Sequence, residues 1–385
     1  MSHKTIIIIS IIACLTAFSY SCVSKKKNTT ILDNTCVEKI KEINYSTLFD
    51  SYKYIPLETT NKCLIGEIED IQFSDHLIFI QNSIGDNEEI LVFNNNGRFL
   101  NKVGERGNGP KEYLSIASFC VNTYEKTILL LDPLNNRAHT FKYNGEYINS
   151  KAVSIDFSFT YKIRYASDRK LICANSINFG TKTILFECDD DFKNFKILFS
   201  SPFTYKGGYM YAQSPITTYS NYFIPPMSTT LYQVEDDILK PKFDVLVNST
   251  YLPLKEAKKG GDYCELFMPT VKKGFSPIFS IFETKKHLLI VEFDHFIIWN
   301  KNSKKGITSK INVSQPTNNM LSFSAGSIIG NDSNSFVGLI SREEVKQATN
   351  YYERNHITPN DNIKIIIEKN GQEDNPILCF YRFKQ

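Results

Sequence analysis

The stretch "ILVFNNNGRFLNKVG", residues 90–104, decides the fold because it recurs as "AHTFKYNGEYINSKA", residues 138–152. Both copies contain Phe-x-x-Asn-Gly-x-aromatic-aliphatic, starting at Phe93 and at Phe141, 48 residues later. An Asn-Gly pair flanked by alternating apolar residues is a strong signal for a tight β-hairpin. The chain therefore contains a repeated hairpin.

Three weaker copies continue the repeat. They are "FECDDDFK" from Phe186, "YQVEDDIL" from Tyr232 and "WNKNSKKG" from Trp299. The wider gap before Trp299 indicates an insertion of about 20 residues, which we place at 251–275. A period of 40 to 50 residues divided into short strands is typical of the four-stranded blades of a β-propeller.

The repeats predict an all-β, six-bladed β-propeller over residues 46–385. Five blades account for residues from about 66 to 313, and the segments "MLSFSAG", "SFVGLIS" and "PILCFYRFK" supply three strands of a sixth. The early segment "YKYIPL" from Tyr52 supplies the fourth strand, so the last blade is closed by an N-terminal strand. Such closure leaves no incomplete blade with an exposed edge. One or two short inserted helices are expected, one of them at 342–355 behind a capping box of Ser341 and Glu344.

The N-terminus has the pattern of a secretory signal. Lys4 is followed by an apolar run from Ile6 to Phe18, too short to span a bilayer, and we expect residues 1–21 to be a signal peptide. The stretch ending at Cys22 resembles a bacterial lipobox, which implies a lipidated Cys22 and a membrane anchor. The alternative is a secreted protein without lipid. Residues 22–45 are expected to be a polar tether, and Lys25–Lys27 favour the periplasmic face of the outer membrane over the cell surface.

The second period resembles a blade of the NHL type. The resemblance rests on "GERGNGPKEYLSIASFCVN" (104–122), on Asn135, Asn136 and Arg137, and on Phe141 with the Asn-Gly turn. The whole mature chain resembles the six-bladed propeller lipoproteins of Bacteroides-like bacteria, through "YKYIPLETT", "GERGNGPKEYLSI" and "EDNPILCFYRFK". That resemblance implies the fold and a cell-envelope location.

Charge and motifs exclude several functions. The formal net charge of +3 is small for 385 residues and no basic stripe is present, so we expect no nucleic-acid partner. Gly104 and Gly109 have the spacing of a P-loop, but Pro110 replaces the lysine that a phosphate site requires. The glycine-rich loop is expected to turn a corner between blades, and no cofactor is expected.

Two groups of residues are candidates for ligand binding. Propellers bind ligands at a mouth of the central channel, and the inter-blade loop carries Arg106, Lys111 and Glu112. A tyrosine-rich segment could stack on a sugar or grip a peptide, and its members are Tyr205, Tyr209, Tyr211, Tyr219 and Tyr222. The alternatives are structural: an ion pair between blades for the loop, and strand packing for the tyrosines.

A metal site has weaker support. His287, Glu292, Asp294 and His295 lie across one predicted hairpin and would bind a metal only if they converged. The alternative is that these four residues lie along the rim of the hairpin and form no site.

These observations favour a lipid-anchored binding or interaction module of the cell envelope over an enzyme. Its partner would be a carbohydrate, a peptide or a protein, acquired as a nutrient or sensed at the envelope. The alternative is an envelope hydrolase or lyase of the propeller-lactonase type, with its site at the channel mouth.

Overall fold

A computed structural model describes residues 29–41, 43, 48–153, 160–175, 183–200, 220–225, 228–235, 238–250, 271–317, 319–369 and 375–384. Its strands form six sheets, which are the blades of a ring and are numbered 1–6 in chain order. The predicted signal peptide, most of the insertion at 251–275 and Cys22 lie outside these residues.

The first three strands join blades that come much later in the chain. They are β1 (Thr30–Leu32), β2 (Val37–Lys39) and β3 (Phe49–Pro56), and together we call them the N-terminal strap.

Blades 1–3 are each built from four consecutive antiparallel strands. Blade 1 contains β4 (Glu67–Ser74), β5 (Leu77–Ile84), β6 (Asn87–Asn94) and β7 (Phe99–Lys102). Blade 2 contains β8 (Ser118–Asn122), β9 (Thr127–Asp132), β10 (Arg137–Lys142) and β11 (Tyr147–Ala152). Blade 3 contains β12 (Thr160–Tyr165), β13 (Lys170–Asn175), β14 (Thr183–Asp189) and β15 (Lys196–Ser200).

Blades 4–6 each receive one strand of the strap. Blade 4 contains β16 (Tyr222–Phe223), β17 (Thr230–Glu235) and β18 (Ile238–Val245), with β1 parallel to β18. Blade 5 contains β19 (Ile278–Glu283), β20 (His287–Glu292), β21 (His295–Asn300) and β22 (Lys305–Lys310), with β2 parallel to β22. Blade 6 contains β23 (Ile328–Asn331), β24 (Phe336–Ile340) and β25 (Ile377–Phe383), completed by β3 antiparallel to β25.

The two Asn-Gly hairpins dock blade 1 against blade 6 and blade 2 against blade 1. The Asn-Gly turns lie between β6 and β7 and between β10 and β11, where Gly97 and Gly145 have φ of 80° and 84°. A Cβ at Gly97 would overlap the carbonyl oxygen of Pro56 in blade 6, and one at Gly145 would overlap that of Lys102 in blade 1. Glycine is therefore required both for the turn and for the contact between blades.

The predicted closure is confirmed, since β3 pairs with the last strand from Ile377↔Pro56 to Phe383↔Phe49. The tether predicted at residues 22–45, in contrast, is too long, because it includes β1 and β2. Residues 30–32 and 37–39 are strands, and Leu32 and Val37 are buried in the core between blades 4 and 5. The outer edge of a blade offers unpaired backbone groups, and a short strand with one apolar side chain satisfies them.

Two helices are inserted between β24 and β25. Helix α1 (Arg342–Asn355) begins with the capping box of Ser341 and Glu344, and α2 (Asp361–Lys369) follows it. Val345, Tyr352 and Ile363 bury both helices against blade 6. In the part of the chain described, no helix is long and apolar enough to cross a bilayer.

Candidate functional site

The inner strands of the ring end together at one mouth of the central channel. The first strands of the blades are neighbours there, with β8 between β4 and β12 and with β23 between β19 and β4. A cavity of about 650 Å³ lies where these strands end. All six blades line it, through Phe73, Tyr124, Arg164, Asn221, Glu283 and Asn331 in blade order.

Side-chain hydrogen bonds connect the inner strands below the cavity. Gln72 donates from Nε2 to the Phe119 carbonyl at 2.9 Å, and its Oε1 accepts from the Val121 N–H at 3.0 Å. Ser118 Oγ accepts from the Ile163 N–H at 3.1 Å. Buried polar groups that are satisfied across blades hold the wall of the cavity in one arrangement.

A chain of charged and amide groups crosses blades 3, 4 and 5 at the mouth. Arg164 donates to the carbonyl oxygen of Ser220 and, at 3.3 Å, to Oδ1 of Asn221. The Asn221 N–H donates to Glu283 Oε2 at 3.0 Å, and Lys301 Nζ lies 3.0 Å from Glu283 Oε1. Both carboxylate oxygens of Glu283 are therefore engaged.

Arg164 is a poorly compensated cation. Burial lowers the pKa of its guanidinium to about 10, although the nearby Glu283 carboxylate acts in the opposite direction. Its Nε is buried and has no hydrogen-bond partner among the described residues. An anion entering the cavity would be stabilised by this group.

The rim adds an aromatic ring and a lysine. Tyr124 is 69% exposed, and Lys285 is exposed as well. Asp332 has one oxygen occupied, since Oδ1 accepts from the N–H groups of Asn334 and Ser335 at 2.7 and 2.6 Å. The mouth thus presents an aromatic face beside groups that form hydrogen bonds, a combination that suits a polar ligand.

The predicted loop residues lie elsewhere. The loop between β7 and β8 precedes an inner strand, so it lies at the opposite end of the ring from the cavity. Arg106 donates to the carbonyls of Leu114, at 3.2 Å, and Asp86, while Glu112 Oε2 accepts from the Gly109 N–H at 2.7 Å. Lys111 Nζ lies 5.9 Å from the centroid of the Tyr147 ring. These contacts shape the loop; a role in ligand binding stays a prediction.

One of the five tyrosines of the tyrosine-rich segment lies among the described residues. Tyr205, Tyr209, Tyr211 and Tyr219 lie outside the described residues. Tyr222 is buried on β16, where its ring lies 5.7 Å from that of Phe243, and burial raises the pKa of its hydroxyl. It does not line the cavity, although Ser220 and Asn221, just before it, do.

The four weak metal candidates are spread along one hairpin. His287 and Glu292 occupy opposite ends of β20. Glu292 accepts from Asn248 Nδ2 at 2.7 Å, and burial raises the pKa of its carboxyl to about 7. His295 Nδ1 lies 2.6 Å from Asp294 Oδ1 in the exposed turn. Within the described ranges, no group of three or more His, Cys, Asp or Glu side chains could hold a metal ion.

Sequence reasoning missed the cluster of Arg164, Glu283 and Lys301. The sequence offered only a weak signal for it, namely a charged residue within or at the end of an inner strand: Arg164 in "TYKIRY" and Glu283 in "IFSIFE". Their partnership depends on the ring, because the two residues belong to blades 3 and 5.

The fold and the mouth define the class of protein: a six-bladed β-propeller with a polar, charged cavity at one end of its channel. More particularly, the chain belongs to the DUF4934 family, described as a domain of unknown function, whose model matches residues 29–382. The match begins at the start of the strap, in agreement with its place in the blades.

Two solved structures have the same fold. A candidate exported protein of Bacteroides fragilis is similar with a TM-score of 0.68 and 18% identity, over 92% of this chain and 100% of that one. A member of the DUF4221 family from Bacteroides vulgatus is similar with a TM-score of 0.52 and 12% identity, over 88% of this chain and 97% of that one. No curated protein matches this sequence.

Proposed function

We propose that this protein is a lipid-anchored binding module of the bacterial cell envelope that holds a small polar ligand in the cavity at the channel mouth. The observation that carries the proposal is the convergence of all six blades on one cavity of about 650 Å³. Ligand pockets of proteins commonly have this size, and they combine aromatic surface with a few placed polar groups.

The envelope location rests on the N-terminal sequence, supported by the fold shared with a candidate exported protein. Lipidated Cys22 would be the anchor, with Lys25–Lys27 favouring the periplasmic face. Only residues 23–29 separate Cys22 from β1, and seven extended residues span at most about 25 Å. The outer edge of blade 4, where β1 lies, would therefore be held close to the membrane surface.

The protein would capture a glycan or a peptide as a nutrient, or would sense such a ligand at the envelope. Tyr124 offers an exposed ring, and Thr123 and Asn221 add hydroxyl and amide groups to the same cavity. Glu283 and Lys301 form an ion pair at the mouth and hydrogen bonds fix Arg164, so these side chains are held in one arrangement.

Blocking the mouth tests the proposal. Ala166 is exposed and lines the cavity, so Ala166→Trp should obstruct it without removing a contact of the fold. Calorimetry with a panel of neutral and acidic oligosaccharides and tripeptides should find a ligand whose binding Ala166→Trp abolishes. Ala152→Trp, on the outer strand of blade 2, is the matched control and should bind normally. Unchanged binding by Ala166→Trp would place the site elsewhere.

The anchor has its own test. Cells grown with an alkyne fatty acid should label the wild type and Cys36→Ser, but not Cys22→Ser, and only Cys22→Ser should leave the membrane fraction. Cys36 is the control because it lies within the fold, next to β2. Labelling of Cys22→Ser would rule out this anchor. Protease treatment of intact cells tests the membrane face: digestion would indicate the cell surface, and resistance the periplasm.

A further inference from the structure

We infer that the mouth cavity binds a carboxylate-bearing saccharide, with the carboxylate placed between Arg164, Lys285 and Lys301. This inference rests on the proposed function and names the chemical class of its ligand. The cavity carries more cations than available carboxylates, the Nε of Arg164 is shielded from solvent, and the exposed ring of Tyr124 lies at the rim.

Cations outnumber the carboxylates available to them. Three cationic side chains line the cavity, Arg164, Lys285 and Lys301, against the carboxylates of Glu283 and Asp332. Glu283 uses one oxygen for Lys301 and the other for a backbone N–H. Asp332 uses one oxygen within its own turn. No carboxylate of the cavity is paired with Lys285 in the described part of the chain, so an incoming anion would meet positive charge.

Arg164 is held in a position to receive that anion. Its Nη1 is fixed by Ser220 and Asn221, which orients the planar guanidinium. Its Nε–H is shielded from solvent and has no protein acceptor among the described residues. The charge of this shielded guanidinium is poorly solvated, so an anion placed beside it in the cavity would be stabilised. A carboxylate matches the planar geometry of the guanidinium well.

The surroundings favour a sugar as the carrier of the carboxylate. Tyr124 presents an exposed ring on which a sugar ring can stack, and Thr123 and Asn221 can form hydrogen bonds with its hydroxyl groups. A cavity of about 650 Å³ has room for two or three sugar units. A peptide would bring backbone groups instead, and peptides are therefore an arm of the test.

The experiment compares four probes by calorimetry on the full chain. The probes are trigalacturonate, the neutral galactotriose, galactose 1-phosphate and triglutamate. We expect trigalacturonate to bind at least about tenfold more tightly than the other three, with affinity falling as salt is added. Tighter binding of the phosphate or of triglutamate would overturn the assignment to a carboxylate-bearing saccharide.

Lys285 supplies the sharpest variant, because it is exposed and its side chain can be changed without disturbing the fold. Lys285→Gln should weaken trigalacturonate binding about two- to fivefold, while the neighbouring Lys286→Gln, which does not line the cavity, should leave it unchanged. Arg164→Gln should weaken it more than about tenfold, if its melting temperature matches the wild type. Equal effects of Lys285→Gln and Lys286→Gln would refute the role of this cation.

The two levels of proposal fail differently. If galactotriose binds as tightly as trigalacturonate and Ala166→Trp blocks both, the cavity is a binding site but the carboxylate preference is wrong. If Ala166→Trp leaves the binding of every probe unchanged, the cavity is not the site and both proposals fall.

Discussion

Asp132 is the residue whose replacement tests the packing of the blades most directly. Its carboxylate lies at the end of β9 and accepts from the N–H groups of Leu114 and Ser115, at 2.9 and 3.2 Å, and from Asn135 Nδ2 at 2.8 Å. Leu114 and Ser115 belong to the loop that arrives from blade 1. One buried side chain therefore ties the connection between blades to the second blade.

The size of the effect follows from the hydrogen bonds and from the pKa. Burial by itself would raise the pKa of Asp132, but hydrogen bonds from Leu114, Asn135 and Ser115, together with the His139 imidazole 3.6 Å away, outweigh it and lower the value from 3.8 to about 2. That difference corresponds to about 2 kcal/mol of stability at neutral pH. Asp132→Asn keeps the shape but presents an NH₂ group to some of these donors, so we expect a loss of about 2 to 3 kcal/mol at pH 7.

The pH dependence has a definite sign. The folded pKa lies below the unfolded one, so the stabilisation is complete above about pH 5 and is lost as the pH falls towards 2. The difference between wild type and Asp132→Asn should therefore shrink by about 1 kcal/mol between pH 7 and pH 3.

Urea unfolding, followed by the fluorescence of the single tryptophan, Trp299, measures these differences. Asp86→Asn is the control because the side chain of Asp86 is exposed, and the contact of Asp86 with Arg106 uses only its carbonyl. A loss at pH 7 below about 0.5 kcal/mol, or an equal loss at both pH values, would refute the account of Asp132.

Three further predictions concern the strap and one buried acid. Leu32→Ala removes a fully buried side chain of β1 and should lower the free energy of unfolding in urea by about 2 to 4 kcal/mol. The control Ile31→Ala, at a side chain that is 48% exposed, should lower it by less than about 1 kcal/mol. Equal losses would mean that β1 adds nothing to the stability of blade 4. The ring of Phe49 in β3 lies 4.8, 4.9 and 5.0 Å, centroid to centroid, from those of Phe383, Tyr381 and Phe323. Phe49→Ala should therefore lower the free energy of unfolding by about 3 to 5 kcal/mol and lower the temperature of the main unfolding transition. A separate minor transition instead would show that β3 does not close the ring. Glu292→Gln should stabilise the protein at pH 8 by up to about 3 kcal/mol and have little effect near pH 4. Burial raises the pKa of Glu292 to about 7, so at pH 8 the folded protein holds a buried carboxylate whose ionisation lowers the free energy of unfolding. At pH 4 the carboxyl is protonated in the folded protein and this cost is absent. A variant that is not more stable at pH 8 would show that Glu292 is ionised there without cost.

The propeller and its closure were predictable because both rest on local signals. Phe93 and Phe141 begin hairpins with an Asn-Gly turn, and the apolar alternation around Tyr52 marks the strand that joins the last blade. Helix α1 was equally visible through Ser341 and Glu344, because a capping box is a pattern within four residues.

Strands β1 and β2 were not predictable in the same way. Each has three residues, "TIL" and "VEK", and only Leu32 and Val37 are buried. Segments so short carry no periodicity that separates them from a polar tether, and their partners lie more than 200 residues away in sequence. Only the completed ring offers the blade edges to which they add.

The sequence by itself determined the class of fold, the number of blades and the partner of β3, because hairpin turns and alternating strands are encoded within a few residues. The tertiary structure alone decided the candidate site. Arg164 and Glu283 are separated by most of three blades; Arg164 is the residue before the last of its inner strand, and Glu283 is the last of its own. They meet because a closed ring brings the ends of all its inner strands to one mouth, and a distance set by closure leaves no mark in the local sequence.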